Sequence, residues 1–393
     1  MPSQSSPQSS TTYSQWVRRI LSQMQPKQNV LVSLFESSVP EPVELLSQLV
    51  GASFGDETTP RYASAFAGGN PFVTARLAES YGVGEGSIVT TTGATGALSL
   101  IYRALLKPGD RVLVENPGFD LFAVLAEAHG FGVDRFERTG PEFAIDPEAV
   151  ERAIGPDTRI VVVSNLHNPS GFAADEETLR ALGEIADRRG VIVIVDEVYL
   201  PYARSAAASA ARLKISPRML SIDSLTKIYG LSSLRCGWIV GDPDVVRPIR
   251  ALSQEVEFSI SKLSHAVSAL ILEDPSPFLQ RTHAIIAAAR PVIETYYGCW
   301  LSEGLVEGRL PTHGCITFPR LAGIADTRHF SEWLAQKGGI IVAPGEYFGA
   351  PGHIRIGFGM DPGRLDYGLQ VLTNGMMEYR ATQAQHAAAR VAT

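Results

Sequence analysis

Five short polar clusters in this 393-residue sequence combine residue types that could do chemistry together: Thr92-Gly93-Ala94-Thr95-Gly96, Glu115-Asn116-Pro117-Gly118-Phe119, Asn168-Pro169-Ser170-Gly171, Asp196-Glu197-Val198-Tyr199 and Ser224-Leu225-Thr226-Lys227. A small Gly/Thr turn that opens a helix presents free backbone N–H groups to an anion. A carboxylate such as Asp196 can face a protonated nitrogen, and a lysine amine that has lost its proton is both a nucleophile and a base. Taken singly, each cluster also has an ordinary structural reading: a helix cap, a solvated edge, a surface lysine, a core phenylalanine. Their convergence depends on the elements that hold them.

Those elements alternate. β-Branched runs at 111–114, 160–163, 191–195, 219–222 and 238–240 predict short strands. Between them, residues 97–106 and a face made of Leu179, Leu182, Ile185 and Ala186 predict amphipathic helices, the second stopped by Gly190. Alternation of this kind marks a parallel α/β sheet. Ligands of such sheets bind beyond the carboxyl ends of the strands, where the five clusters fall.

The segment Ser224-Leu225-Thr226-Lys227-Ile228-Tyr229-Gly230-Leu231-Ser232-Ser233-Leu234-Arg235-Cys236-Gly237-Trp238 resembles the cofactor-binding stretch of the fold-type I pyridoxal 5′-phosphate (PLP) enzymes, specifically the class I/II aminotransferases. The similarity runs in the family's order from about Tyr62 to about Phe358. It implies an α/β fold, a large domain with a mostly parallel sheet flanked by helices plus a smaller α+β domain. The expected boundaries are 49–261 for the large domain and 13–48 with 262–380 for the small one. Residues 1–12 are expected to be a disordered tail, 14–24 a first helix with Trp16, Val17, Ile20 and Leu21 at helical spacing, and 381–393 a helix end or tail.

The resemblance also implies roles. Lys227 would bind PLP as a Schiff base, Asp196 would face the pyridine nitrogen, and Tyr199 with Asn168 would hydrogen-bond the phenolic oxygen. Gly93, Ala94, Thr95, Ser224 and Arg235 would hold the phosphate, and Phe119 would stack on the ring. Tyr62, ahead of Gly68-Gly69, would reach the phosphate of a neighbouring subunit, which implies a homodimer with a shared active site. Arg355 would fork onto the substrate α-carboxylate, with Asn168 beside it. Once displaced by substrate, the Lys227 amine could move a proton from the substrate Cα, as transamination between an amino acid and a 2-oxo acid requires. A lyase or decarboxylase of the same fold is the alternative. A serine acyl-hydrolase built on Ser224-x-x-Lys227 is a remote one, because Ser-Asp-Asn and Lys-Thr-Gly motifs are absent. A PLP-dependent regulator would need a DNA-binding module, and the sixty or so residues before Tyr62 are not basic.

Composition narrows the partners. A net charge of -7 argues against a nucleic-acid footprint and for small-molecule partners. No window approaches the roughly 18 apolar residues of a membrane span. Cys236, Cys299 and Cys315 lack metal-type spacing or an even count, so neither a metal site nor a disulfide framework is expected, and a reducing cytoplasm fits. One feature departs from the family. The stretch Leu34-Phe35-Glu36-Ser37-Ser38-Val39-Pro40 lacks glycine where many members have it, so Phe35, Glu36 and Ser37 are candidates to line the entrance. No second arginine suggests itself for a distal carboxylate, and Cys315 reads as structural.

Overall fold

The computed structural model describes residues 12–24, 32–55, 57–63, 69–256 and 260–391. All of the expected tail 1–12 except Thr12, together with Gly68 and residues 392–393, lies outside them. The chain begins with α1 (Tyr13–Met24), whose Trp16 and Ile20 are buried as the spacing predicts. A seven-stranded sheet follows: β1 (Ile88–Thr91), β2 (Arg111–Asn116), β3 (Gly132–Glu137), β4 (Thr158–Ser164), β5 (Ile192–Asp196), β6 (Met219–Ser224) and β7 (Gly237–Val240). Its order is β1-β7-β6-β5-β4-β2-β3, and only β7 runs against the others. Central strands such as β4 (TRIVVVS) and β5 (IVIVD) are apolar nearly throughout, because helices cover both sheet faces.

Each expected strand forms, and all but β5 are longer than their apolar runs; β5 keeps the length of its run but is shifted by one residue, starting at Ile192 and ending on Asp196. β2 continues through Glu115 and Asn116, β4 starts at Thr158 and ends at Ser164, and β6 reaches Ser224. Apolar content therefore marks the buried middle of a strand, while ladder hydrogen bonds carry it on to the polar edge. The helix expected from 97 begins at Gly93: α2 spans Gly93–Leu105. Glu176–Arg189 forms α3, with Leu179, Leu182, Ile185 and Ala186 buried, Asp175 capping its start through Thr178 N and Gly190 left-handed at its end. A second apolar core gathers around Trp300, Phe330, Ile354 and Leu369, built on α4 (Ser276–Ser302), α5 (Pro362–Val391) and a short antiparallel sheet in which Ile354–Gly357 lies between Ile316–Thr317 and Ala343–Pro344. Residues 381–391, expected as a helix end or tail, continue α5. Among the described residues no helix is long and apolar enough to cross a membrane.

The sheet's carboxyl edge is tied by a buried ion pair. Arg138, just past β3, donates from Nε to Glu115 Oε2 at 2.8 Å and from Nη2 to the Ser164 carbonyl at 2.8 Å; Ser164 N in turn donates to Glu115 at 3.1 Å. Both charged side chains are essentially inaccessible. Breaking such a pair strands a buried charge, so Arg138→Leu should cost about 3–5 kcal/mol, and Glu115→Leu/Arg138→Leu together markedly less. Denaturant unfolding of the two variants measures the difference; a double variant as unstable as the single one would refute this account.

Candidate active site

Strand register brings the chemistry to one place. Asp196 ends β5 opposite Ser164 and Ile222, and Ser224 ends β6 opposite Gly237, so the polar residues leave the sheet at one edge. They open into a cavity of about 330 Å³ lined by Ala94, Thr95, Phe119, Asn168, Asp196, Tyr199, Ser224, Lys227, Arg235 and Arg355.

Lys227 reaches into it from the turn after β6. Its Nζ donates to Ser37 Oγ at 3.0 Å and lies 5.4 Å from the centre of the Tyr199 ring. Loss of bulk water, and then the Arg355 charge, lower its pKa to about 8. The Asp-Glu pair divides its work. Glu197 turns into the core, where Ser209 Oγ (2.8 Å) and Ala210 N (2.6 Å) satisfy its carboxylate. Asp196 faces the cavity and, among the described residues, only Val198 N, at 3.2 Å, donates to it; burial pushes its pKa up to about 7. Tyr199 is buried too, with a raised pKa caused first by burial; Ser37 lies near its hydroxyl, yet no partner there meets hydrogen-bond geometry.

At the other end, Gly93, Ala94 and Thr95 form the first turn of α2. Thr92 makes no side-chain cap, so the N–H groups of that turn have no such acceptor. Arg235, left-handed at φ 49°, lays its guanidinium against the turn. A Cβ at Gly93 would lie 2.8 Å from Arg235 Nη2, and one at Gly237 would lie 2.4 Å from Gly93 C, so both closely packed positions need glycine. Buried Ser224 accepts from Thr226 N at 3.3 Å. Phe119 lines the wall, edge-on to Phe122 at 5.8 Å.

Arg355 comes from the second core and is 2% exposed. Nη1 donates to Asn168 Oδ1 at 2.9 Å, and Nη2 to Tyr13 Oη at 2.8 Å and the Phe35 carbonyl at 3.0 Å; Nε is buried and has no partner among the described residues. Because Asn168 spends its oxygen on Arg355, its two N–H donors remain for a ligand. Tyr62 is not brought to the cavity of its own chain. It is 39% exposed, edge-on to Phe54, with Lys262 Nζ 4.1 Å from its ring centre. Phe35, Glu36 and Ser37 do line the cavity. Cys315 is buried beside them, its thiol pushed up to about 11 chiefly by burial. Tyr13 carried no sequence signal beyond its place at a helix start, yet it is anchored in the site: its N–H donates to Asp120 Oδ2 at 3.0 Å while its hydroxyl meets Arg355.

The donor set fits PLP. An unpartnered phenol hydroxyl, a buried carboxylate lacking a cation, a lysine amine of lowered pKa and a glycine cradle backed by an arginine match an acidic phenol, a basic ring nitrogen, an aldehyde and a phosphate. The site and fold are those of a fold-type I PLP enzyme. Residues 66–372 match the family aminotransferase class I and II, and the chain belongs to that family: it is a PLP-dependent aminotransferase. Capreomycidine synthase of Streptomyces vinaceus is 29% identical over 307 residues, 78% of each chain. Histidinol-phosphate aminotransferase 2 of Nitrosospira multiformis is 30% identical over 291 residues, 73% of this chain and 70% of the relative. The solved aspartate aminotransferase of Thermus thermophilus with maleate shares the fold at TM-score 0.82, with 23% identity over 95% of this chain and 97% of its own.

The neutral Lys227 amine is the form that reacts with an aldehyde. Cofactor capture by apoprotein should therefore speed up as pH rises through about 8 and level off above it. Arg355→Leu removes a charge that opposes protonation, so the lysine pKa rises and the inflection moves to higher pH. Stopped-flow absorbance across pH 6–10 (roughly two pH steps either side of the lysine value) reads this, and an inflection that stays or moves down in the variant contradicts it.

Proposed function

We propose that Lys227 both anchors the cofactor and moves the proton that exchanges an amino group between an amino acid and a 2-oxo acid. The observation that carries this reading is a lysine amine of lowered pKa sharing one cavity with an arginine that retains an unpaired buried N–H. PLP, when bound, supplies an aldehyde carbon and an electron-withdrawing ring that makes the substrate Cα–H acidic. Asp196 would hold the ring nitrogen in its protonated form, and Tyr199 and Asn168 would donate to the phenolic oxygen. Gly93, Ala94 and Thr95 would offer backbone N–H groups to the phosphate, joined by Ser224 and Arg235, and Phe119 would cover the ring face.

Arg355 would receive the α-carboxylate, exchanging its contacts with Tyr13 and the Phe35 carbonyl for a bidentate pair. A carboxylate so held is retained, which favours loss of the Cα proton over loss of carbon dioxide. Lys227, its pKa lowered to about 8, can take that proton and return it one carbon away.

The same reading includes a homodimer in which the partner subunit's Tyr62 reaches the phosphate. Its support is the exposure of Tyr62 away from its own cavity. It also includes a large domain over 49–261 and a small domain over 13–48 and 262–380, with the cavity between them. Three cysteines without a disulfide among the described residues support a reducing, cytoplasmic setting.

Lys227→Ala should bind substrate and PLP yet lose multiple turnover by roughly a thousandfold or more, since base and anchor vanish together. Product analysis with an amino donor and a 2-oxo acid checks wild type and variant. Full turnover in the variant, or release of amine or ammonia in place of a 2-oxo acid, refutes the assignment. Sedimentation should give twice the chain mass; a monomer with full activity would refute the shared site.

A further inference from the structure

Segment 35–38 runs along the cavity between two groups that act on substrate. The Phe35 carbonyl accepts from Arg355 Nη2 at 3.0 Å, and Ser37 Oγ accepts from Lys227 Nζ at 3.0 Å. Glu36 is the residue between them. Its backbone is pinned to the strand that carries Arg355: Gly357 N donates to the Leu34 carbonyl at 2.6 Å, and a Cβ on Gly357 would come within 1.6 Å of the Glu36 carbonyl oxygen. Glu36 is among the residues that line the same cavity, and it is exposed. Among the described residues it has no hydrogen-bond or ion-pair partner, although Lys227 and Tyr13 feel its charge through space.

The charged residues of the cavity wall are Glu36, Asp196, Lys227, Arg235 and Arg355. Asp196, Lys227, Arg235 and Arg355 are committed to ring nitrogen, aldehyde, phosphate and α-carboxylate. Glu36 is left, and it is an anion. A substrate held at its carboxylate by Arg355 and at its Cα by Lys227 must send its side chain away from both anchors. Glu36 leaves the backbone between the contacts to those anchors. The Phe35 and Tyr13 rings nearby offer apolar surface to a methylene stem.

We propose that Glu36 receives a positively charged substrate side chain, so that the amino donor is a basic amino acid ending in an ammonium or guanidinium group. This rests on the aminotransferase reading above. A distal carboxylate would meet the Glu36 charge and find no uncommitted cation among the described lining residues. A neutral side chain would leave Glu36 without a counter-charge in a cavity from which substrate expels water.

The test is the donor half-reaction of the holoenzyme, followed by cofactor absorbance, with lysine, ornithine, arginine, norleucine and glutamate. Norleucine matches the lysine stem without its charge. Wild type should favour at least one basic donor over norleucine by about tenfold in kcat/KM, and Glu36→Gln should lower that ratio about tenfold, the scale of a partly desolvated ion pair. Glu36→Lys should turn the preference toward glutamate. Because each ratio is taken within one protein, a general loss of activity cancels. The inference is overturned if norleucine or glutamate matches every basic donor in wild type, or if the ratio stays within about twofold in Glu36→Gln. Reaction with norleucine but no basic preference, or no reaction with any of the five donors, would overturn the inference and leave the aminotransferase reading to the product analysis described above.

Discussion

Charge buried at the edge of the sheet is the constraint on which the site depends. A carboxylate and an amine taken out of water are costly unless something neutralises or pairs them. Here the molecule leaves both in want of a partner. Asp196 has a single backbone donor and a pKa pushed up to about 7, and Lys227 has one serine hydroxyl and a pKa lowered to about 8. Their opposite shifts share a cause, since burial disfavours whichever form is charged. A ligand with a basic ring nitrogen and an aldehyde relieves both at once. The unpartnered Tyr199 hydroxyl and Arg355 Nε belong to the same pattern of unfinished contacts.

Unfinished contacts are useful only when their positions are fixed, and the surrounding structure spends its satisfied interactions on that. The buried Glu115–Arg138 pair binds β2, β3 and β4 together, and Ser164, one of its partners, also accepts from Asn168 N at 3.0 Å. Asn168 then holds Arg355 through its oxygen. A continuous path of hydrogen bonds thus runs from the sheet to the arginine of the second core. On the opposite side, Gly93, Gly237 and Arg235 pack so closely that a single added carbon would displace them. Rigid placement of this kind lets a site act without reorganising during the reaction.

Arg355 also links the N-terminal helix to the chemistry. Tyr13 and the Phe35 carbonyl occupy its second nitrogen, so the segments that carry Tyr13 and Phe35 contribute directly to the cavity rather than only covering it. The backbone that positions Phe35 also positions Glu36 and Ser37, and all three line the one cavity.

Much of this was legible in the chain. The apolar runs disclosed the strands, because a strand covered on both faces must be apolar along its buried length. The helical face at Leu179, Leu182, Ile185 and Ala186 and its stop at Gly190 came from spacing and from the tolerance of glycine for a left-handed turn. The motif from Ser224 to Trp238 singled out Lys227 and Arg235, since local spacing survives folding unchanged. Tertiary structure alone decided the rest. That Tyr13 meets Arg355, 342 residues away, that Glu115 pairs with Arg138, that Asp196 faces the cavity while Glu197 turns to the core, and that Tyr62 stays out of its own site all depend on packing between distant segments. Sequence shows which groups can react and which local elements carry them. Only the folded chain decides which groups lose their water together, and that loss sets their pKa values and their partners.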